Sequence, residues 1–144
     1  MREIVEFDIE GEPIGKARPR HRQTAGKSIT YTPKKTLEYE EKVRNSFLSK
    51  NKGIKFGNKS QIGVIITSYF KIPKNKAKRI KELMLAGIIK PTKKPDIDNI
   101  AKIICDGLNG VAYKDDAQII YLAVMKRYAE EESVRVKMWE VENG

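Results

Sequence analysis

Residues 94–110 read Lys94-Pro95-Asp96-Ile97-Asp98-Asn99-Ile100-Ala101-Lys102-Ile103-Ile104-Cys105-Asp106-Gly107-Leu108-Asn109-Gly110, and Tyr113-Lys114-Asp115-Asp116-Ala117-Gln118 follows shortly after. Apolar side chains at 97, 100, 101, 104 and 108 recur at helical spacing, which predicts a helix from about Asp98 to Asn109 with that stripe on a core. Gly110 is its expected stop. Four-residue steps put Asp98, Lys102 and Asp106 on the opposite face, while Asp96 stays outside the helix behind Pro95. Carboxylates near a helix N-terminus gain a little from the macrodipole, but two of them answered by a second Asp pair call for a cation between them.

Ahead of this stretch lie two basic blocks. From Gly11 to Lys35 the cations are Lys16, Arg18, Arg20, Arg22, Lys27, Lys34 and Lys35 against the lone acid Glu12, which reads as a loop or loose hairpin with a short strand at Ser28–Thr32. Arginine forks suit phosphate oxygens, and the interleaved His21 and Tyr31 are candidates for stacking on bases. The second block holds Lys71, Lys74, Lys76, Lys78, Arg79, Lys81, Lys90, Lys93 and Lys94, with Glu82 its only acid. Together they contain sixteen of the 29 Lys and Arg residues, so the excess charge is clustered as a nucleic-acid footprint would be. Lys16, Arg18, Arg20, Arg22, Lys76, Arg79, Lys93 and Lys94 are the candidate DNA contacts; a solvated charged loop and a lysine-coated helix are the plainer alternatives.

Around these pieces the periodicities predict an α/β (α+β) chain, with a mixed sheet of about four strands against two to three helices. Glu3–Glu10 reads as a strand with Ile4, Phe7 and Ile9 apolar. Pro33 leads into an amphipathic helix at 34–50, with Leu37, Val43, Phe47 and Leu48 as its stripe and Glu40 the one break in it. Asn51–Ser60 is a connector, and Gln61–Phe70 (QIGVIITSYF) is the candidate central strand, β-branched and almost continuously apolar. Ile80, Leu83, Met84 and Ile88 give the second basic block a helical face, bracketed by Gly87 and Pro91. Ile119–Tyr128 and Ser133–Glu142 read as strands joined by Ala129-Glu130-Glu131-Glu132, the latter alternating Val134, Val136 and Met138 with Arg135, Lys137 and Trp139.

At 144 residues the chain is most simply one domain, 1–144, with a formal net charge of +10 that favours a polyanionic partner. No segment approaches the roughly eighteen apolar residues of a membrane span, and no secretory leader is evident, so a soluble cytoplasmic protein is expected. Cys105 has no internal partner and is expected to be a core residue.

One His and one Cys cannot furnish a four-ligand structural zinc site, and paired-histidine ribonuclease chemistry is excluded for the same reason. No Walker A or dinucleotide glycine pattern is present. An oxygen-ligand site for Mg²⁺ or Mn²⁺ remains, formed by Asp96, Asp98 and Asp115 or Asp116, with the Lys102 ammonium beside it to offset charge building on a phosphate. The alternative for the same residues is structural: Asp98 as an N-cap, Lys102 and Asp106 as an exposed pair, Asp115-Asp116 as a turn.

The run from Lys94 to Gly110 with Tyr113–Ile119 resembles the signature of the RusA family of Holliday-junction resolvases, found in bacteria and their prophages. Gly15-Lys-Ala-Arg-Pro-Arg-His21 and Thr30-Tyr-Thr-Pro-Lys-Lys35 are similar to stretches of the same family, so the likeness covers most of the chain. The resemblance implies Asp96, Asp98 and Asp116 as Mg²⁺-binding acids, Asp115 as the alternative ligand, and Lys102 as the catalytic lysine. It also implies a mixed α/β fold and a homodimer that cuts paired strands of a four-way junction symmetrically, leaving ligatable nicks. Asp106 matches a family position without an assigned role. The expected function is therefore a Mg²⁺-dependent, structure-selective endodeoxyribonuclease of recombination and repair. A non-catalytic nucleic-acid-binding protein and a phage nuclease of broader branched-DNA specificity are the alternatives.

Overall fold

The computed structural model describes residues 4–142. Its elements run β1 (Val5–Glu10), β2 (Arg20–Thr24), β3 (Lys27–Tyr31), α1 (Lys34–Lys50), β4 (Gln61–Lys71), α2 (Lys78–Leu85), α3 (Ile97–Leu108), a single 3-10 turn (Asp116–Gln118), β5 (Ile119–Ala129) and β6 (Ser133–Val141). Four strands form one mixed sheet in the order β1-β6-β4-β5, while β2 and β3 form a separate two-stranded hairpin. The predicted mixed sheet of about four strands with two to three helices is thus present, the helices numbering three among the described residues. Glu3, the expected start of the first strand, lies outside the described residues.

β4 is interior, antiparallel to β6 and parallel to β5. A parallel neighbour requires a crossover, and residues 72–118 supply it, carrying α3 onto the core face of the sheet and α2 beside β5. Residues 130–132 join β5 directly to β6, yet β4 lies between those two strands. The core is the face on which Val5, Phe7, Ile9, Ile62, Val64, Ile66, Val134, Val136 and Met138 meet Val43 and Phe47 of α1 and Ile100, Ile103, Ile104 and Leu108 of α3. On the other face, cross-strand ion pairs hold the surface: Arg135 reaches Asp8 at 3.0 Å and Glu6 at 3.4 Å.

Three phases differ from the sequence reading. In β1 it is Val5, not Ile4, that joins Phe7 and Ile9 inside, because strict alternation leaves Ile4 62% exposed. In α1 the buried stripe is Thr36, Tyr39, Glu40, Val43 and Phe47, leaving Leu37 and Leu48 exposed. α3 sets that rotation. A Cβ on Gly107 would stand 3.0 Å from the Val43 Cβ and 3.2 Å from the Glu40 carbonyl oxygen, so only glycine lets the helices approach this closely along the 40/43/47 line. In α2, Met84 is buried whereas Ile88 lies past the helix end and is exposed.

The 11–35 segment is more ordered than a loose arm. β2 and β3 pair antiparallel around Ala25-Gly26, both at positive φ (51° and 76°), as a two-residue hairpin turn requires. Every residue of both strands is exposed.

Candidate active site

α3 begins one residue earlier than the periodicity predicts, and Asp96, not Asp98, takes the N-cap position in extended backbone, following a cis Lys94–Pro95 peptide bond. The Asp96 side chain makes no capping hydrogen bond, which leaves its carboxylate available. Ile97 is 47% exposed instead of joining the core stripe. Its place in the core is taken by Ile103, on a helix whose buried arc also includes Cys105 and Gly107. Burial lifts the Cys105 thiol to a pKa of about 12, as expected of a packed, inert cysteine.

Asp98, Lys102 and Cys105 follow one another along α3 and line a cleft of about 630 Å³ between this helix and β5. Asp116 enters the same cleft from the turn just ahead of β5, and Ile97, Ile120, Tyr121 and Leu122 form its apolar walls. Three of the candidate catalytic residues therefore share one cavity. Asp96 faces a second cleft of about 360 Å³ lined also by Glu12, Lys16, Lys94 and Asn99. Asp115 is exposed and outside both.

The position of Asp116 is built by the residues just before and after it. Tyr113 is fully buried and donates its hydroxyl to the Cys105 carbonyl at 2.6 Å, docking the 109–115 loop on the end of α3. Gly110, at φ 79°, turns the chain, and its N–H donates to the Tyr113 carbonyl at 2.8 Å. Asp116 N–H donates to the Asn109 side-chain oxygen at 2.9 Å. Gln118 closes the construction: its Oε1 accepts the N–H groups of Lys114 and Asp115, while its Nε2 donates to the carbonyls of Gly57 and Ser60 ahead of β4. Asp106 is not among the residues that line this cleft. It lies within hydrogen-bonding reach of Asp116 and forms an ion pair with Lys16 at 3.1 Å.

Asp116 is held above the usual carboxylate range, first by burial and then by the charges of Asp115 and Asp106. Among the described residues, no three His, Cys, Asp or Glu side chains already converge on one point. The candidate donors are nevertheless all carboxylate oxygens, and Asp116 is crowded by like charge, the chemistry that suits a hard divalent cation. Asp98 and Asp116, with Asp96 at the helix start, are the residues that would hold it.

The candidate DNA contacts fall into separate groups. Arg20 and Arg22 stand on one face of the hairpin, Arg22 over the Tyr31 ring at 5.9 Å from its centroid, while His21 pairs with Thr30 at 3.0 Å on the other. Arg18, Lys76 and Arg79 are exposed, and Lys94 lies beside Asp96. Lys93 meets Lys126 over Phe70, their ammonium groups 5.9 and 5.1 Å from the ring centroid, and Lys126 donates to the Lys93 carbonyl. Arg127 adds to this group beside Gly87 and Lys90. Lys126 and Arg127 escape a search for basic runs because they sit in an otherwise apolar strand. Lys16 differs from all of these, its ammonium engaged inside the protein.

The sequence matches the family profile described as endodeoxyribonuclease RusA over residues 10–139. The chain belongs to the RusA family. It is also 32% identical, over 141 residues covering 96% of this chain and 98% of the other, to the uncharacterized protein YqaN of Bacillus subtilis (strain 168). Membership in the RusA family implies endodeoxyribonuclease activity on branched DNA, in a family generally dependent on a divalent metal. Among the described residues no helix is long and apolar enough to cross a membrane.

Proposed function

We propose that this RusA-family protein resolves four-way DNA junctions by Mg²⁺-dependent phosphodiester hydrolysis, with Mn²⁺ able to substitute. The observation that carries the reading is the meeting of Asp98 and Lys102 from α3 with Asp116 from the loop before β5 in one cleft. Asp96, Asp98 and Asp116 are the proposed ligands, and the exposed Asp115 is the alternative to Asp116. When bound, the divalent ion supplies an activated water and neutralises charge on the phosphate.

The chain's own residues do the rest. Asp98 and Asp116 approach the cleft from two elements and would hold the ion between them. Lys102, one helical turn beyond Asp98, places a point charge where a non-bridging phosphate oxygen would gather charge in the transition state. The exposed hairpin arginines and the Lys93–Lys126 group supply phosphate contacts on either side. A homodimer, needed to nick two strands symmetrically, is supported by β5: it is a sheet edge, and Met125 lies exposed on it outside the walls of the cleft.

The test is cleavage of a synthetic four-way junction beside a linear duplex of the same sequence, with and without Mg²⁺, for the native protein and Asp98→Asn. The expected result is paired nicks in the junction alone, abolished by EDTA and by the substitution, with junction binding in Ca²⁺ retained by the mutant. Binding without any cutting by the native protein would leave a non-catalytic DNA-binding protein.

A further inference from the structure

Lys16 is a candidate phosphate contact by its place in a basic run, yet its ammonium is drawn inward. It lies 2.7 Å from Glu40 on α1 and 3.1 Å from Asp106 on α3, with only 18% of its side chain exposed. Glu40 is the charged break in the otherwise apolar stripe of α1, and its side chain is 10% exposed. A buried carboxylate in that position needs a cation, and Lys16 supplies it. Burial works against the lysine's charge, but the two carboxylates prevail and hold its pKa above the ordinary value.

The backbone around Lys16 is fixed to the same helix. Its N–H donates to the Asn99 carbonyl at 2.9 Å. A Cβ on the preceding Gly15 would stand 2.8 Å from the Pro95 Cβ and 3.0 Å from the Asn99 Cβ, so the chain crosses the start of α3 in direct contact. Four residues after Lys16 the hairpin begins.

We infer that Lys16 is a positioning residue: it ties Asp106 to Glu40, so that Asp106 braces Asp116 from outside the cleft instead of competing for the cation, and it anchors the DNA-binding hairpin to the catalytic helix. This rests on the nuclease reading above. Without the lysine, Asp106 would remain beside Asp116 but lose its tether, becoming free to swing towards the cleft or to displace its neighbour.

Two consequences separate this role from a phosphate contact and from mere packing. Removing a cation from beside the carboxylates leaves the site more negative, so divalent binding should hold or tighten while cutting slows. Removing a lysine that grips a phosphate would instead flatten the salt dependence of DNA binding by about one unit.

The experiment compares native protein, Lys16→Met, Lys16→Gln, Lys16→Arg and Glu40→Gln for Mn²⁺ affinity by calorimetry, salt dependence of junction binding in Ca²⁺, and single-turnover cleavage. Lys16→Met should bind Mn²⁺ at least as tightly as the native protein, keep the native salt slope, and cut at least ~10-fold more slowly, the size of effect seen when an outer partner of a metal ligand is removed. Lys16→Arg, which retains the charge, should recover part of the rate. Should Lys16→Met fail to fold, Lys16→Gln carries the test, since it removes the same charge while keeping a polar group between the carboxylates and should show the same pattern; Glu40→Gln, which leaves the ammonium to Asp106 alone, should keep a near-native rate without tighter Mn²⁺ binding. A salt slope flattened by about one unit with an unchanged rate overturns the inference in favour of a phosphate contact. Weakened Mn²⁺ binding in every variant overturns it in favour of packing alone. If native protein binds Mn²⁺ and cuts while every variant matches it, only the positioning role falls; if native protein does neither, the nuclease reading falls and takes this role with it.

Discussion

The side-chain oxygen of Asn109 accepts the backbone N–H of Asp116 at 2.9 Å. The residue that ends α3 thereby holds the residue that supplies the site's second approach, and the spacing of seven between them is a structural dimension of the cleft. Asn109→Ala leaves that N–H unpartnered and Asp116 free to drift. Single-turnover cleavage of a junction should fall about tenfold or more, in line with removal of an outer partner of a ligand, while junction binding in Ca²⁺ stays native. A native rate would mean that Gln118 alone positions the loop.

Lys102 should separate binding from chemistry. Removing one preorganised charge that faces a developing oxyanion costs on the order of a hundredfold in rate. Lys102→Ala should thus bind Mn²⁺ and junction DNA almost normally and cut about two orders of magnitude more slowly, with partial recovery in Lys102→Arg because the guanidinium is larger and differently hydrated. Near-native cutting by Lys102→Ala would return this residue to the solvated face of the helix.

The hairpin can be tested without touching the fold. Arg18, Arg20 and Arg22 are all exposed, so their joint replacement by Ala should leave the melting temperature unchanged. Affinity for junction and duplex alike should drop, and the log–log salt slope should become shallower by about two to three units if each arginine contacts a phosphate. Titration of binding against salt reads this directly.

Asp116 ties function to stability through its charge. Its folded pKa is raised, so folding favours its protonated form: its contribution to stability is greatest at low pH and is lost as pH rises through the folded value. In metal-free buffer, Asp116→Asn should therefore melt higher than the native protein at pH 7, by roughly 2–4 °C for each kcal/mol of repulsion relieved, and the difference should shrink towards pH 3. The same mutant should not cut. Thermal melts at the two pH values decide it, and a mutant less stable than native at pH 7 would refute it.

Gly107 offers a check on the helix pair. Gly107→Ala puts a methyl 3.0 Å from the Val43 Cβ and 3.2 Å from the backbone of α1, which cannot move as a side chain can. Overpacking of this kind costs about 1–3 kcal/mol, and thermal unfolding should register it as a melting temperature lowered by several degrees.

What the sequence disclosed followed the range of each interaction. α3 could be read because its stripe and its carboxylates repeat within one helix, so Asp98 and Lys102 were placed one above the other from spacing alone. The interior position of β4 followed from its unbroken apolarity. The phase of α1 could not be read, since the line 40/43/47 was selected by the absence of a side chain at Gly107, some sixty residues away. The ion pairs of Lys16 could not be read for a related reason: nothing near it in the chain reveals that Glu40 and Asp106 stand beside its ammonium. Asp96 and Ile97 were placed one step out because an N-cap is decided by backbone geometry at a single residue.

The parallel pairing of β4 with β5 has a consequence in time. Asp116 stands immediately ahead of β5, and β5 can dock only after the long crossover through α2 and α3 has closed, a distant pairing of the kind that forms slowly. A chain still emerging from the ribosome presents α3 with Asp98 and Lys102 well before the segment that seats Asp116 against them. The candidate site is thus completed only as the last strands are added, and a nascent or prematurely ended chain carries the basic hairpin without the assembled cleft.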